Sequence, residues 1–228
     1  MAKVIIIYPS DPKKQSSLYP PLGLSYIAGY LKSKGVNPMV IDLTFEELPE
    51  IVGTGHIYVV SCTTPLYDYT KIITAKLKQQ DPHGIVCLGG AHATVMPEYV
   101  LNDDNNVDVI VVGEGEQTVY ELTQNRQIKD IKGIYYRNDS GIVFTGERDL
   151  IKDIDTLPFP DQSLFPIEQY FSIKGFRELT MISTRGCPYD CIFCQPTIRK
   201  IFGNTTRFRS ANNIVSEMEY LVKTYNLD

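Results

Sequence analysis

Three cysteines stand within eight positions of one another in the stretch RGCPYDCIFC: Cys187, Cys191 and Cys194, spaced C-x3-C-x2-C. The two remaining cysteines of the chain, Cys62 and Cys87, lie far upstream. Thiolates this close can converge on one metal centre without folding a long loop, and Gly186 and Pro188 suit a chain that turns sharply around it. A disulfide staple, or a group of small buried hydrophobes, would use the same residues differently. A zinc site takes four ligands, and the segment offers no fourth Cys or His, so Cys62, Cys87 or His92 would have to come across from the upstream part. Three thiolates do suffice for a cubane iron–sulfur cluster that leaves one iron without a protein ligand, and that iron can bind a small molecule directly.

Composition sets the frame for these residues. At 228 residues and 43% hydrophobic side chains, the chain can bury one full core and part of another. The opening MAKVIIIYP has an apolar run that soon meets Pro9, which reads as a first buried strand rather than a secretory leader. No run reaches membrane-spanning length, so the expectation is a soluble, cytoplasmic protein whose cysteines stay reduced. With 27 acidic against 22 basic residues, a formal charge of −5, nothing draws the chain to nucleic acid or to an anionic membrane. Its nearest approach to a basic patch is TIRKIFGNTTRFRS, where Arg199, Lys200, Arg207 and Arg209 read as a solvated loop and helix start.

The elements that must position the cysteines follow from periodicity. KVIIIYP, PMVIDL, HIYVVSC, GIVCLGG and VDVIVVG are rich in Val and Ile and lack a polar face, as buried parallel strands do. Leu22, Tyr26, Ile27, Tyr30 and Leu31 recur at the spacing of one helical face, and so do Leu66, Tyr69, Ile72, Ile73 and Leu77. The pattern predicts an α/β fold with an open, doubly wound parallel sheet. GIYYRNDSGIVFTG reads as a hairpin turning at Asp139 to Gly141, closing a first domain over residues 1–145. Residues 146–176, with Pro158, Pro160 and Pro166, read as a linker along the surface. In residues 177–228, ELTMIST is a strand candidate, the cysteine segment a loop, and SANNIVSEMEYLVKTY a helix capped by Ser210, with Ile214, Met218, Leu221, Val222 and Tyr225 on one face. One strand, one loop and one helix leave an open edge and a bare face, so this piece either packs on the first domain or begins a larger unit.

RGCPYDCIFC resembles the cluster loop of the radical SAM enzymes, including the aromatic Phe193 just before the third cysteine. By that resemblance Cys187, Cys191 and Cys194 ligate a 4Fe–4S cluster, whose open iron is chelated by S-adenosylmethionine. One reducing electron, from a donor such as flavodoxin or ferredoxin, then splits the sulfonium into methionine and a 5′-deoxyadenosyl radical. Phe193 would flank the adenine; Arg185 would either bias the cluster potential or simply end a strand.

The upstream half carries its own resemblance. PPLGLSYIAGYLKSKG, GGAHATVMPE, VVGEGEQT and the later RFRSANNIVSEMEYL are similar to radical SAM proteins with a cobalamin-binding domain, flavodoxin-like in fold, ahead of the catalytic (β/α) barrel. A ligand of such a sheet lies at the carboxyl ends of its strands, at loops that begin at Pro9, Asp42, Ser61, Gly89 and Gly113. There Ser61, Thr63 and Thr64 offer hydroxyls, and Gly89 and Gly90 let a large planar group or a nucleotide tail approach the backbone. Helix capping and tight turning are the plainer uses of the same residues. Glu114 and Glu116 favour the amino end of a following helix.

Some cobalamin domains place a histidine beneath the cobalt in a D-x-H-x-x-G loop after the first strand, but PSDPKKQSSLYPPLG contains none. His56 and His83 precede their strands and read as surface or boundary residues; His92 reads as loop-shaping or tail-contacting. The resemblance implies about six βα units in the barrel, and YNLD stands where the second would begin. Truncation, a boundary cut inside the barrel, and completion by another chain or a second copy are the three explanations. The implied chemistry is methyl transfer or radical rearrangement on a small molecule. The contrasting reading is a non-catalytic corrinoid-binding or interaction module with a vestigial or zinc-binding cysteine site.

Overall fold

The computed structural model describes residues 3–10, 19–124, 126–192 and 197–228. Strand β1 (Val4–Tyr8) leads to helix α1 (Leu22–Ser33), β2 (Met39–Asp42) and β3 (Ile57–Ser61). A single 3-10 turn opens α2 (Tyr67–Gln80), and β4 (Ile85–Gly89) follows. Two short helices, α3 (Ala91–Val95) and α4 (Pro97–Asp103), precede β5 (Val109–Val111) and α5 (Glu116–Leu122). Next come β6 (Ile134–Asn138), β7 (Gly141–Phe144) and α6 (Ile167–Lys174). Strand β8 (Thr184–Arg185), helix α7 (Thr197–Phe202), strand β9 (Arg207–Phe208) and helix α8 (Ala211–Tyr225) complete the order.

All five strands expected from the Val/Ile runs form one sheet in the order β2-β1-β3-β4-β5, each pair parallel. The switch between β1 and β3 is where an open α/β sheet parts its loops. The hairpin forms at its expected turn and adds β6 and β7 antiparallel beyond β5, with Val111 opposite Ile134. Both faces of the parallel part are covered, which is why its strands lack alternation of polarity. Val4, Ile6, Val59, Cys87 and Val111 pack under α1, α5, α6 and α8; Ile5, Ile7, Tyr58, Val60 and Leu88 pack under α2 and α4.

Several expectations are corrected. ELTMIST is a strand only at its end, β8, which pairs antiparallel with β9; no parallel neighbour lies beside residues 177–183 among the described residues, so their ladder has no partner there. The region 146–176 is more than a surface connector: Ile167, Tyr170 and Phe171 of α6 are buried, and the Tyr170 hydroxyl donates to buried Asp42 at 2.7 Å. Ser210 does cap α8, accepting from the Asn213 amide at 3.2 Å. The face that α8 buries, however, is Glu217, Leu221 and Tyr225, while Met218 and Val222 are 51% and 54% exposed. Leu221 and Tyr225 join the core under the sheet, so the last helix packs on the first domain. Ile72 faces solvent, and α2 buries Thr70 and Thr74 in its stead. His56 is buried, its Nδ1 accepting from the Lys3 amide at 3.1 Å, while His83 is exposed as expected. Among the described residues no helix is long and apolar enough to cross a membrane.

Candidate cofactor site

A cavity of 260 Å³ opens at the carboxyl ends of β3, β4 and β5. Ser61, Gly89 and Gly90 form its sheet-side rim, the start of α1 (Leu24, Ile27) and Val119 of α5 supply apolar walls, and Gly113 to Glu116 close one side. Its outer wall comes from elsewhere in the chain: Ile182 and Arg185 before the cysteine loop, Ile201 and Phe202 after it. Gly90 holds φ +92°, and a Cβ there would lie 2.8 Å from the Cys62 carbonyl oxygen, so only glycine makes this turn. Thr63 and Thr64 stand beside the site rather than on its lining; Thr63 precedes the 3-10 turn and Thr64 binds His92.

His92 is buried, with Nδ1 3.1 Å from Thr64 Oγ1 and its ring 4.4 Å from that of Tyr67. Burial lowers its pKa, so the imidazole is neutral near neutral pH. Its Nε2 has no hydrogen-bond partner among the described residues.

Of the cysteine segment, Cys187 is half-buried and Cys191 exposed, both as free thiols, while Phe193 and Cys194 lie outside the described residues. Gly186 takes φ +91°, and a Cβ there would sit 2.2 Å from the Thr205 carbonyl oxygen. The Cys187 amide donates to the Gly203 carbonyl at 3.3 Å. These contacts bring the two stems of the loop together. Cys62 and Cys87 are buried on opposite faces of the sheet, Cys62 with its thiol pushed up to about 11 by burial and Cys87 raised further for the same reason. Both stay protonated at neutral pH and belong to the core.

The stems are tied to the sheet edge by charge. Arg185 reaches Glu114 at 2.9 Å and Glu116 at 2.6 Å, and Arg207 reaches Glu114 at 3.0 Å. Arg185, Glu114 and Glu116 are only 5%, 8% and 4% exposed. Two carboxylates and two guanidiniums make a neutral buried set. Burial alone would lower the Arg185 pKa; the charges and hydrogen bonds of Glu116 and Glu114 together outweigh it and hold the group above its ordinary value. Its guanidinium also lies 4.8 Å from the ring of Tyr26, whose hydroxyl is pushed up to about 12, first by burial and then by Glu217. Arg209 is ion-paired with buried Glu217. The basic stretch is solvated only in its first half: Lys200 is exposed and Arg199 pairs at the surface with exposed Asp190 at 2.8 Å, whereas Arg207 and Arg209 point inward. Glu116 does open α5 as expected, but its carboxylate serves Arg185. Two glutamates after a buried strand, and arginines on both sides of a cysteine loop, were the sequence signal for this contact.

Residues 14–123 match the family model of the B12 binding domain. The chain is 30% identical over 226 residues to the uncharacterized methyltransferase PH0819 of Pyrococcus horikoshii, covering 91% of this chain and 47% of that protein. It is 31% identical over 245 residues to the anaerobic magnesium-protoporphyrin IX monomethyl ester cyclase of Rubrivivax gelatinosus, covering 99% of this chain and 43% of that one. Among solved structures, the cobalamin-dependent S-adenosylmethionine radical enzyme OxsB, with aqua-cobalamin and S-adenosylmethionine bound, has a similar fold over 100% of this chain and 33% of its own, at a TM-score of 0.76 and 19% identity. The radical S-adenosylmethionine methyltransferase TsrM of Kitasatospora setae, with cobalamin and a 4Fe–4S cluster bound, gives 0.72 at 17% identity, over 98% and 46% of the two chains. The fold is thus that of a B12-binding-type domain followed by the start of a radical-SAM-type barrel. The chain spans about half the length, or less, of these relatives.

The residues present fit both groups. The cavity is apolar at its walls, carries a hydroxyl and close-approach glycines at its rim, and lies just below the ~300–1,000 Å³ usual for a whole ligand. It suits the aromatic tail of a corrinoid rather than an entire macrocycle. Of the cysteine segment, the described residues offer two free thiols, Cys187 and Cys191, in a loop whose stems are fixed, which is part of the donor set that an iron–sulfur cluster uses; no group of three possible metal ligands is found among the described residues.

Proposed function

We propose that this chain supplies the cobalamin site and the cluster loop of a radical SAM enzyme, with methyl transfer to an unreactive carbon as its chemistry. The observation that carries the reading is the composition of the cavity wall. Ser61, Gly89 and Gly90 of the sheet edge face Ile182, Arg185, Ile201 and Phe202, which flank the cysteine loop. A ligand seated at the strand ends would therefore lie beside the cysteines, as a reaction using both groups requires. The names of relatives, methyltransferases among them, favour methyl transfer over rearrangement.

When bound, a reduced iron–sulfur cluster supplies the electron that cleaves S-adenosylmethionine, and cobalamin supplies a methyl carrier. The chain's own part is placement. Cys187, Cys191 and Cys194 would hold the cluster, and Phe193 would stack beside the adenine. Ser61, Gly89 and Gly90 would seat the corrinoid tail, with Thr63 and Thr64 on the flanking turn. No histidine occurs between Pro9 and Gly23, so that loop would offer no imidazole to a bound corrinoid.

The test is anaerobic reconstitution with iron, sulfide and hydroxocobalamin. We expect about four irons per chain and a broad band near ~400 nm, both lost in C187S, C191S and C194S, and one retained corrinoid per chain. Stoichiometric zinc without iron, or a colourless protein that retains no corrinoid, would move the chain to the non-catalytic reading.

A further inference from the structure

The loop after β5 has two sides. Gly113 and Gly115 wall the 260 Å³ cavity. From the same four residues, Glu114 and Glu116 send their carboxylates to Arg185 at 2.9 and 2.6 Å, and Glu114 also takes Arg207 at 3.0 Å. Arg185 and Arg207 are opposite one another in the β8–β9 ladder, one on each side of the cysteine loop. Arg207 further donates to the Ile151 carbonyl at 2.6 Å and the Phe202 carbonyl at 2.9 Å, and the Ile151 amide returns to Glu114 at 2.9 Å. One short segment is thus both a wall of the cavity and the anchor for both stems of the cysteine loop.

We propose that Glu114 and Glu116 are positioning residues for the cysteine loop, holding its stems through Arg185 and Arg207 and linking cluster retention to occupancy of the cavity by a corrinoid. The inference rests on the reading of Cys187, Cys191 and Cys194 as cluster ligands. Guanidinium–carboxylate pairs fix direction as well as distance, and buried ones cannot re-form with water as partner. A metal loop with fixed stems presents its thiols at lower entropic cost than one whose stems can part. A corrinoid tail packed against Gly113 and Gly115 restrains the residues that hold those stems. By linkage, each ligand then strengthens retention of the other by the same factor.

The experiment uses the full chain, reconstituted anaerobically with iron and sulfide. Iron release to a chelator is followed with and without hydroxocobalamin, and the reduced cluster is characterised by its midpoint potential and electron paramagnetic resonance spectrum. We expect hydroxocobalamin to slow iron release in the unaltered chain. In E114Q/E116Q, iron release should be about ten-fold faster, the potential should move upward with the loss of negative charge, and hydroxocobalamin should no longer slow release. The milder E116Q, which leaves Glu114 on both arginines, and R185K, which keeps the charge but loses the two-pronged donor, give the same readouts if the double variant does not fold; circular dichroism checks the fold of each. Variants that match the unaltered chain in release rate, potential and spectrum overturn the proposal and leave the proposed function standing. A chain that takes up no cluster in the first place overturns both.

Discussion

At Gly186 the backbone turns with φ +91°, and a methyl group would have to share space with two carbonyl oxygens, Thr205 at 2.2 Å and Phe202 at 3.0 Å. Left-handed backbone costs an ordinary residue roughly 1–2 kcal/mol, and a clash with backbone cannot be relieved by a rotamer. G186A is therefore expected to lower stability by about 2 kcal/mol or more, read as a fall in the urea midpoint, and to reduce iron uptake because β9 must move away from the loop stem. The need for glycine beside the cysteine was legible in the sequence. What Arg185 touches was not, since its partners lie some seventy residues upstream and only the folded chain brings them to 2.6–2.9 Å. His56 shows the same limit: its position before a strand suggested a surface or boundary residue, but it is buried, with the amide of Lys3 and the carbonyl of Val52 as partners.

Elements were read more easily where their signals are local. Helix α8 declares its start through Ser210, whose hydroxyl accepts from the Asn213 amide while its own amide donates to Asp155. S210A should cost about 1 kcal/mol, measurable as a shift in the denaturation midpoint without change in slope. S210D should retain most of that stability, because its carboxylate can still cap. The face α8 buries was less legible. Apolar spacing favoured Met218 and Val222, but the burial of Glu217 against Arg209 turns them outward, a contact eight residues apart between the helix and the short connection that follows β9. Helix α6 hid for a similar reason: its eight residues follow a proline-rich stretch, and the hydrogen bond from Tyr170 to Asp42 that secures it spans 128 positions. The five parallel strands were plain because two-sided burial leaves them uniformly apolar.

For the molecule as a whole, Asp81 is one of the carboxylates, with Asp103, Glu121, Asp161 and Glu168, whose lowered pKa ties stability to pH. Burial raises its carboxyl pKa, but amides of Gly55 and His56, with the hydroxyls of Thr54 and Tyr58, outweigh this and hold it well below the usual carboxylate range. A depressed folded value contributes stability above the unfolded value of about 3.9, and the contribution is lost as pH falls through the folded one. Asp42 and Glu217, raised by burial, act with the opposite sign. D81N is expected to lose about 2 kcal/mol at neutral pH and to show a shallower decline than the unaltered chain between about pH 4 and pH 2, read from urea unfolding across a pH series. The two outermost strands of the seven-stranded sheet, β2 and β7, are each four residues long. So short a run of free amides and carbonyls makes a poor template for another chain, and the seven-stranded layer resists growing sideways into fibres. Self-recognition by this fold is accordingly steered away from backbone zippering and toward side-chain surfaces, of which the outward row Val215, Met218 and Val222 on α8 is an apolar example.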